Sequence, residues 1–283
     1  MRNWAIIGLG FISQKHLDAI QDIGDRLHIA CDIDESKKQK IPGIPFFTDW
    51  REMMAHQLFE DVEWVAICAP NHLHKELIRG ATERGKKVLC EKPVVIDPKD
   101  LHDMGKNVYT VLQLRFSPEL ERIREDVLQL MPDVIEGIMH IEVHRDEFYQ
   151  DGWKGKEEES GGLIYNIGIH YLDILVNIFG AHIRKIEVYQ RSPKRILGLI
   201  AFGISGGDIA NIRFTFAIDA PKDNQIRMLK IGENHYSLDR NFENLHHIVY
   251  METVNGNGIL AQSSAPAILL ADEIKNSSLC EAQ

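Results

Sequence analysis

Two short segments of the sequence carry residue types that can move protons. Lys92 follows the apolar run Lys87–Cys90 closely, and a partly desolvated lysine can hydrogen-bond a hydroxyl or carbonyl oxygen of a substrate. His170 stands four residues after Asn166, so on a helix the two side chains face the same way. Histidine exchanges protons near neutral pH, whereas an amide donates hydrogen bonds but cannot act as a base. These residue types suit acid–base chemistry at a hydroxyl or carbonyl group, although Lys92 and His170, each taken alone, fit ordinary surface residues equally well.

A glycine-containing segment near the N-terminus, Gly8–Ser13, has the composition of a phosphate-binding loop. Gly8 permits a tight turn, and Gly10 lets backbone N–H groups approach a pyrophosphate, which the following helix N-terminus attracts. The third position of the motif holds Ser13 instead of glycine or alanine. Taken alone, the segment fits a plain strand-to-helix turn equally well.

Asp32 favours the phosphate-binding interpretation. It ends the second apolar run, about 20 residues after the glycines, where a carboxylate accepts both ribose hydroxyls of NAD. The same carboxylate would repel the additional phosphate of NADP, and no arginine follows in Ile33–Ser36. We therefore predict an NAD site, with cofactor contacts in the loop from Gly8, Gly10, Phe11 and Ile12.

The elements that must position these residues alternate in type over the first part of the chain. Short apolar runs that alternate with amphipathic segments predict buried parallel strands in βαβ units. Helices are predicted at Ser13–Ile23 and Leu73–Glu83, and the segment between Pro98 and Val108 is short for a helical crossover, which we expect to loosen that edge. The predicted strands are Trp4–Ile7, Leu27–Ile33, Val62–Ala69, Lys87–Cys90 and Val108–Leu114.

The pattern changes near Ser117-Pro118, where longer and partly alternating segments begin. We predict an NAD-binding Rossmann domain at 1–117 and a substrate-binding and oligomerisation domain at 118–283. The expected fold class is α/β: an N-terminal doubly wound parallel sheet, then an α+β domain with a large, mostly antiparallel open sheet. Predicted strands here are Ile135–Val143, Ile183–Tyr189, Ile196–Ile204, Ile209–Ile218 and Ile226–Ile231, with a turn at 205–208 and helices at Glu119–Leu130, Gly161–Phe179 and Ala265–Ile274.

Composition bounds the function classes. The 283 residues are 44% hydrophobic and 26% charged, with a formal net charge of −10, as in ordinary globular proteins. An acidic chain argues against a nucleic-acid partner, which needs a basic face. The longest weakly polar run, Ile196–Gly207, is too short to span a bilayer, and Met1 lies directly before the first strand. We expect a cytoplasmic protein without a membrane partner.

Two predicted strand ends carry further polar groups. Pro70, Asn71 and His74 follow the run Val62–Ala69, and Glu91 follows Cys90. Ligands of a doubly wound sheet bind at the carboxyl ends of its strands, so both groups should edge the cofactor crevice. We predict cofactor contacts from Pro70, Asn71, His74, Glu91 and Lys92.

In combination, these motifs resemble the Gfo/Idh/MocA oxidoreductase family. The resemblance rests on the Gly8–Ser13 loop, APNHLH at 69–74, EKP at 91–93 and GGLIYNIGIHYLD at 161–173, and it covers nearly the whole chain. It implies that Lys92 is catalytic and that Glu91 meets the nicotinamide ribose.

The family's other catalytic segment, D-x-G-x-H-x-x-D, here reads Asn166–Asp173. The amide replaces an acid that is typical of the polyol and sugar dehydrogenases. NIGIH, together with VLQLR at 111–115, GWKG at 152–155 and FENLHHIVY at 242–250, is similar to one branch, the UDP-GlcNAcA 3-dehydrogenases. That resemblance implies oxidation of the sugar C3 hydroxyl with NAD, a route to diamino-uronic acids of surface polysaccharides such as O-antigen lipopolysaccharide, and in some members NADH reoxidation by 2-oxoglutarate.

A UDP-sugar uronate carries several negative charges, so its site needs cations. Arg115, at the end of a predicted strand, and Lys154, beside Trp153, are the candidates. Trp153 either stacks near the nicotinamide, the role we assign it, or packs within the protein. Lys92 or His170 accepts the hydroxyl proton, with both alternatives open. The predicted substrate-binding residues are Lys92, Gln113, Arg115, Lys154, Asn166 and His170.

Other interpretations remain beside this one. Another sugar or cyclitol dehydrogenase of the family is the near alternative, and a non-catalytic NAD-linked sensor is a remote one. The pairs His72/His74 and His140/His144 lack a completing ligand at usual spacing, so we predict no metal site. The resemblance also implies a homo-oligomer, a dimer or tetramer. The apolar strands Ile196–Ile204 and Ile209–Ile218 either form its contact face or are buried in the monomer under the helix Gly161–Phe179.

Overall fold

The structure, a computed structural model, describes residues 1–129, 134–239 and 245–281. The chain forms two compact units. The first comprises Met1–Gln113 with Glu243–Ala265, and the second comprises Leu114–Phe242 with Pro266–Gln283. The sequence-based division at Ser117-Pro118 assigned the returning segment to the second domain. The segment groups with the first unit because its helix packs against the first helix of the chain.

Six parallel strands form the sheet of the first unit, in the order β3-β2-β1-β4-β5-β6. The predicted parallel Rossmann sheet is confirmed. The shortest strand, β3, was not predicted, since two residues give no periodicity. The strands are β1 (Asn3–Ile7), β2 (Arg26–Cys31), β3 (Phe46–Phe47), β4 (Trp64–Ile67), β5 (Lys87–Cys90) and β6 (Val108–Thr110). The helices of this unit are α1 (Ser13–Asp22), α2 (Trp50–Ala55), α3 (His74–Thr82) and α8 (Leu245–Val254).

The last strand of this sheet is shorter than predicted. β6 ends at Thr110, and Arg115 lies on a 3₁₀ turn, Gln113–Phe116, so the placement of Arg115 at a strand end was wrong. Val111 and Leu112 are nevertheless buried. A short apolar run reports burial and does not separate a strand from a buried turn.

The short crossover before β6 is a single 3₁₀ helix, Pro98–Asp103. Contrary to the predicted loosening, β6 is paired on both sides. It pairs with β5 over three residues, and the N–H of Thr110 donates to the carbonyl of Ile259 at 2.8 Å. The returning segment therefore closes the edge of the first sheet.

The second unit is built on a six-stranded sheet in the order β12-β11-β7-β10-β9-β8. Among the described strands of this second sheet, only the central pair, β7 with β10, is parallel, so the mostly antiparallel prediction is confirmed. The predicted turn at 205–208 joins β9 to β10. The strands are β7 (Val134–Glu142), β8 (Ile183–Arg191), β9 (Arg195–Gly203), β10 (Ile209–Ala217), β11 (Ile226–Ile231) and β12 (Asn234–Ser237), the last one not predicted.

One apolar helical stretch, Glu157–Phe179, is long and apolar enough to cross a membrane, but 72% of its apolar window is buried inside the protein. On this stretch, Tyr171 and Phe179 pack against the sheet residues Phe216 and Phe202, with ring centroids 6.2 and 5.5 Å apart. Burial of this kind is typical of a core helix. The helices of this unit are α4 (Pro118–Gln129, whose predicted last residue lies outside the described residues), α5 (Glu147–Asp151), α6 (Glu157–Ser160), α7 (Ile169–Phe179) and α9 (Ala265–Asn276).

Candidate active site

The loop between β1 and α1 passes very close to the end of β4. Gly8 has φ +94°, and a Cβ there would lie 2.7 Å from the carbonyl carbon and oxygen of Cys68. Both the backbone angle and the close approach require glycine. The carboxyl ends of β1 and β4 are thereby brought together at the edge where ligands of such sheets bind.

Asp32 is anchored beside this loop. Its Oδ2 accepts from the N–H of Leu9 at 2.6 Å, and its Oδ1 accepts from the N–H of Asp34 at 2.9 Å. A side chain that sequence analysis missed also supports the loop. Lys40 donates from Nζ to the carbonyls of Leu9 and Gly10 at 2.8 and 2.9 Å.

The remaining loop positions explain how serine replaces the third small residue. Ser13 is buried, and its hydroxyl donates to the carbonyl of Gly10 at 2.7 Å, which closes the loop from within. Gly10 is exposed, Ile12 is half-buried and Phe11 is 90% exposed. The loop thus presents backbone and apolar side chains outward, and the predicted cofactor contacts of its residues stay a prediction.

The second polar segment, after β4, is tied to the segment after β5. Asn71 is buried and Pro70 is half-buried. His74 has no exposed surface, and its Nδ1 and Nε2 lie 2.8 and 2.9 Å from the carbonyl oxygens of Pro93 and Ala69. Its ring joins the two segments and does not line a surface, which differs from its predicted cofactor contact.

Glu91 lies at the centre of a buried polar cluster. Its Oε1 is 2.9 Å from Nε2 of His16 and 3.5 Å from Nε2 of His246. Its Oε2 accepts from the backbone N–H of Lys92 at 3.2 Å. The cluster extends to Tyr250, whose hydroxyl lies 2.8 Å from Nδ1 of His16.

Burial alone would raise the pKa of Glu91, but the hydrogen bond from His16 and the nearby imidazole of His246 lower it well below its usual value. Burial lowers the pKa of His16, and Glu91 offsets this only in part. The carboxylate is therefore ionised at neutral pH, and it serves as an acceptor. Lys92 itself is half-buried.

In the second unit, Asn166 and His170 lie on and beside a π-helical turn, Ile164–Gly168. Such turns occur frequently at functional sites. Asn166 is buried, and its amide donates to the carbonyl of Lys154 at 3.0 Å. The amide therefore holds the GWKG segment, a role that an acid in the same place could not fill.

The GWKG segment presents a cation over aromatic rings. The ammonium of Lys154 lies 5.5 Å from the ring centroid of Trp153 and 5.7 Å from that of Tyr149. These are cation–π distances. Trp153 is half-buried, and its predicted contact with the nicotinamide stays a prediction.

Arg115, the other predicted cation, is paired within its own unit. Its Nε and Nη2 donate to the two carboxylate oxygens of Asp173 at 2.8 and 2.6 Å. No local pattern in the sequence indicates this pairing, because the two residues are 58 positions apart. Gln113, which ends the first unit, has a buried Oε1 without a hydrogen-bond partner.

Sequence analysis missed His16 and Tyr250 as well. His246 and Tyr250 are four residues apart on α8, a spacing that puts both on one face. That spacing was a usable signal, although the first three residues of the FENLHHIVY segment lie outside the described residues. The partner on α1 could not be inferred without the fold.

Comparison with protein-family models gives two matches. Residues 2–110 match the GFO_IDH_MocA model, described as an oxidoreductase family with an NAD-binding Rossmann fold. Residues 133–229 match the GFO/IDH/MocA C-terminal domain.

Among solved structures, the WlbA (WbpB) dehydrogenase of Thermus thermophilus, in complex with NAD and alpha-ketoglutarate, has a TM-score of 0.90 and 30% identity, covering 100% of this chain and 97% of that one. The same dehydrogenase in complex with NAD and UDP-GlcNAcA also has a TM-score of 0.90, at 29% identity.

Curated relatives match over shorter segments. An uncharacterized oxidoreductase of Schizosaccharomyces pombe is 29% identical over 155 residues, 52% of this chain and 41% of that protein. An inositol 2-dehydrogenase/D-chiro-inositol 3-dehydrogenase of Lactiplantibacillus plantarum is 29% identical over 196 residues, 65% of this chain and 55% of that protein. The chain thus spans about half the length of the curated relatives that it matches. The first unit has the parallel sheet and glycine loop expected of an NAD-binding domain. Together with the two family models and the full-length structural likeness, this establishes that the chain belongs to the GFO/IDH/MocA oxidoreductase family.

Proposed function

We propose that this chain is an NAD-dependent dehydrogenase that oxidises the C3 hydroxyl of UDP-N-acetylglucosaminuronic acid to a 3-keto sugar. The observation that carries the proposal is the full-length likeness, at 30% identity, to a dehydrogenase crystallised with NAD and with UDP-GlcNAcA. The NIGIH sequence at 166–170 supports the same branch.

The first unit fits the cofactor. The turn at Gly8 brings backbone close to where a pyrophosphate would lie, and Asp32 offers an anchored carboxylate to a ribose without a 2′-phosphate. Glu91 would accept from the nicotinamide ribose. When bound, NAD supplies the acceptor for the hydride that leaves C3.

Proton transfer is assigned to two groups of this chain. Lys92, in the first unit, or His170, in the second, accepts the C3 hydroxyl proton, and the lysine ammonium stabilises negative charge on that oxygen. Asn166 positions the GWKG segment through its bond to the carbonyl of Lys154. Lys154, Arg115 and Gln113 are assigned to the charged and polar groups of the sugar nucleotide.

The wider role follows from the same proposal. The ketosugar is a substrate for amination, so the chain would serve diamino-uronic acid and surface polysaccharide synthesis in the cytoplasm, as a dimer or tetramer. Reoxidation of NADH by 2-oxoglutarate is supported by the neighbour crystallised with alpha-ketoglutarate.

A second candidate is dehydrogenation of a free sugar or cyclitol. The matched inositol dehydrogenase favours it. Asn166 opposes it, because that chemistry typically uses an acid at this position. An ionised acid could not donate to the carbonyl of Lys154 as the amide of Asn166 does.

The test is a turnover assay with NAD and UDP-GlcNAcA, with and without 2-oxoglutarate, in which NADH absorbance and sugar mass are followed. The expected product is lighter than the substrate by two hydrogens. Lys92→Ala and His170→Ala should each lower the rate by about 10²–10⁴. Turnover of myo-inositol without turnover of the UDP-sugar would support the second candidate.

A further inference from the structure

The cluster around Glu91 contains more buried polar groups than the proposed reaction uses. His16 has no exposed surface, and His246 is 4% exposed. Neither residue has a part in hydride or proton transfer as assigned above. Two buried imidazoles on one carboxylate therefore call for a different account, because burying polar groups costs free energy unless they are hydrogen-bonded.

The hydrogen bonds of the cluster have a defined direction. An ionised carboxylate only accepts, so Nε2 of His16 carries the proton that faces Glu91 at 2.9 Å. In a neutral imidazole the other nitrogen then accepts, so the hydroxyl of Tyr250 donates to Nδ1 at 2.8 Å. The chain of donors runs from Tyr250 through His16 to Glu91.

Three parts of the first unit supply the cluster. His16 lies on α1, Glu91 directly follows β5, and His246 and Tyr250 lie one turn apart on α8. The ring of Trp4 packs against that of Tyr250 in a tilted arrangement, at a centroid distance of 4.9 Å. The tyrosine hydroxyl is thus fixed by packing as well as by hydrogen bonding.

The same three side chains, two histidines and a glutamate, have ligand atoms within 4.8 Å of one another, as a metal site would require. The shortest separation, 2.9 Å between Nε2 of His16 and Oε1 of Glu91, is that of a hydrogen bond. Two atoms bound tetrahedrally to one zinc at about 2.0–2.2 Å would be about 3.4 Å apart. The geometry favours the hydrogen-bonded state.

We propose that Tyr250, His16 and His246 are positioning residues that fix the carboxylate of Glu91 in one orientation for the nicotinamide ribose. The proposal rests on the proposed role of Glu91 in NAD binding. Oε1 is hydrogen-bonded to His16 and lies 3.5 Å from Nε2 of His246, and Oε2 is bonded to the N–H of Lys92, so rotation of the carboxylate would break both hydrogen bonds. The same bond ties the backbone of Lys92, so cofactor and lysine are oriented by one network.

Other titratable groups near Glu91 are the thiols of Cys68 and Cys90 and the ring of His74. Burial raises the pKa of both thiols and lowers that of His74. All three are neutral at pH 7. The imidazoles of His16, which is hydrogen-bonded to Glu91, and His246, at 3.5 Å, are therefore the groups that keep the pKa of Glu91 low.

The test measures NAD binding by calorimetry at pH 5.5 and pH 8, without any sugar. His16→Leu removes the donor at similar volume, and His16→Gln keeps an N–H near the Nε2 position. We expect His16→Leu to raise Kd about tenfold at pH 8 and further at pH 5.5, where Glu91 without its donor is protonated. The Kd of His16→Gln should stay within about threefold of the wild-type value. Tyr250→Phe keeps the ring that packs against Trp4 but removes the hydroxyl, and its Kd should rise about threefold.

Thermal midpoints of each variant separate binding from folding, and Tyr250→Phe decides if His16→Leu does not fold. If the wild type binds NAD tightly and the variants have the same Kd and pH profile, the positioning role of the network is overturned, while the cofactor assignment stands. Absence of NAD binding by wild type would overturn the cofactor assignment and this proposal with it. Stoichiometric zinc that is lost in His16→Leu would overturn the hydrogen-bonded state.

Discussion

Arg115 donates two parallel hydrogen bonds to the carboxylate of Asp173, from Nε at 2.8 Å and from Nη2 at 2.6 Å. The carboxylate side chain is 2% exposed and the guanidinium side chain 17%. Asp173 lies on α7, three residues after His170. The pair therefore fixes the rotation of the helix that carries the candidate proton acceptor.

Removal of the guanidinium should be costly and dependent on pH. Arg115→Met leaves a buried carboxylate without its partner, and we expect a loss of about 3–5 kcal/mol in unfolding free energy at pH 8. Burial already raises the pKa of Asp173, which Arg115 partly offsets. Without the arginine the pKa rises further, so protonation favours the folded state as pH falls, and the loss should shrink at pH 5.

Urea unfolding at the two pH values measures this difference. Arg122→Met, which breaks the exposed pair with Glu119, is the matched control and should cost less than about 1 kcal/mol. Equal losses in the two variants would contradict the role given to the buried pair.

Gly8→Ala should abolish tight NAD binding. The added Cβ meets the Cys68 backbone at 2.7 Å, and backbone cannot move aside as a flexible side chain can. Gly85→Ala is the control, because Gly85 also has positive φ but has no atom within 4 Å of the added Cβ. We expect only the control to retain NAD affinity, with a stability loss of about 1–2 kcal/mol from backbone strain.

Asp32→Ala should weaken the discrimination between NAD and NADP. The substitution removes the anchored carboxylate that would repel a 2′-phosphate, so the ratio of kcat/KM for the two cofactors should fall at least about tenfold. Asp34→Ala removes a neighbouring exposed acid and should leave the ratio near that of wild type. A retained preference in Asp32→Ala would place discrimination elsewhere.

Asn166→Asp tests the amide at the π-helical turn. A carboxylate cannot donate to the carbonyl of Lys154, which now accepts at 3.0 Å. We expect kcat/KM for the UDP-sugar to fall about 10–100-fold. The affinity for NAD should stay within about threefold of the wild-type value. Steady-state kinetics and calorimetry on the same preparation separate the two effects. A gain in activity on myo-inositol would indicate that this position selects the substrate.

The four cysteines should differ in reactivity. Burial raises the pKa of Cys31 to about 12 and those of Cys68 and Cys90 well above the usual value. Cys280 is exposed. Native protein treated with iodoacetamide at pH 8 should gain a single adduct, on Cys280, because the thiolate is the reactive form. Mass spectrometry checks this, and rapid modification of Cys68 would contradict its neutral state.

Much of the fold followed from short-range patterns. The runs at Lys87–Cys90 and Ile226–Ile231 became strands with the predicted bounds, since buried strands are uniformly apolar or alternate. The two-residue strand Phe46–Phe47 carries too little pattern to detect. The apolar run Val108–Leu114 predicts one strand, but the strand ends at Thr110 and a 3₁₀ turn begins at Gln113, because apolar composition does not separate a strand from a buried turn.

The candidate site was predictable where a local motif exists. Gly8 and Asp32 were found from spacing, because the turn and the strand end that they occupy are local structures. The partners of Glu91 were not, since His16 and Tyr250 are 234 residues apart and meet only after folding. Arg115 was expected to offer its charge to a substrate, and the structure adds Asp173 as a partner that no local signal indicates.

The return of α8 to the first unit has a consequence for protein synthesis. His246 emerges from the ribosome 155 residues after Glu91 (246 minus 91), which takes roughly 8–30 s at about 5–20 residues per second. During that interval the nascent N-terminal segment has the glycine loop and the strand ends but lacks the imidazole and phenol of α8. The carboxylate of Glu91 therefore lacks these partners until α8 has been synthesised, and we expect tight binding of the dinucleotide only after that point.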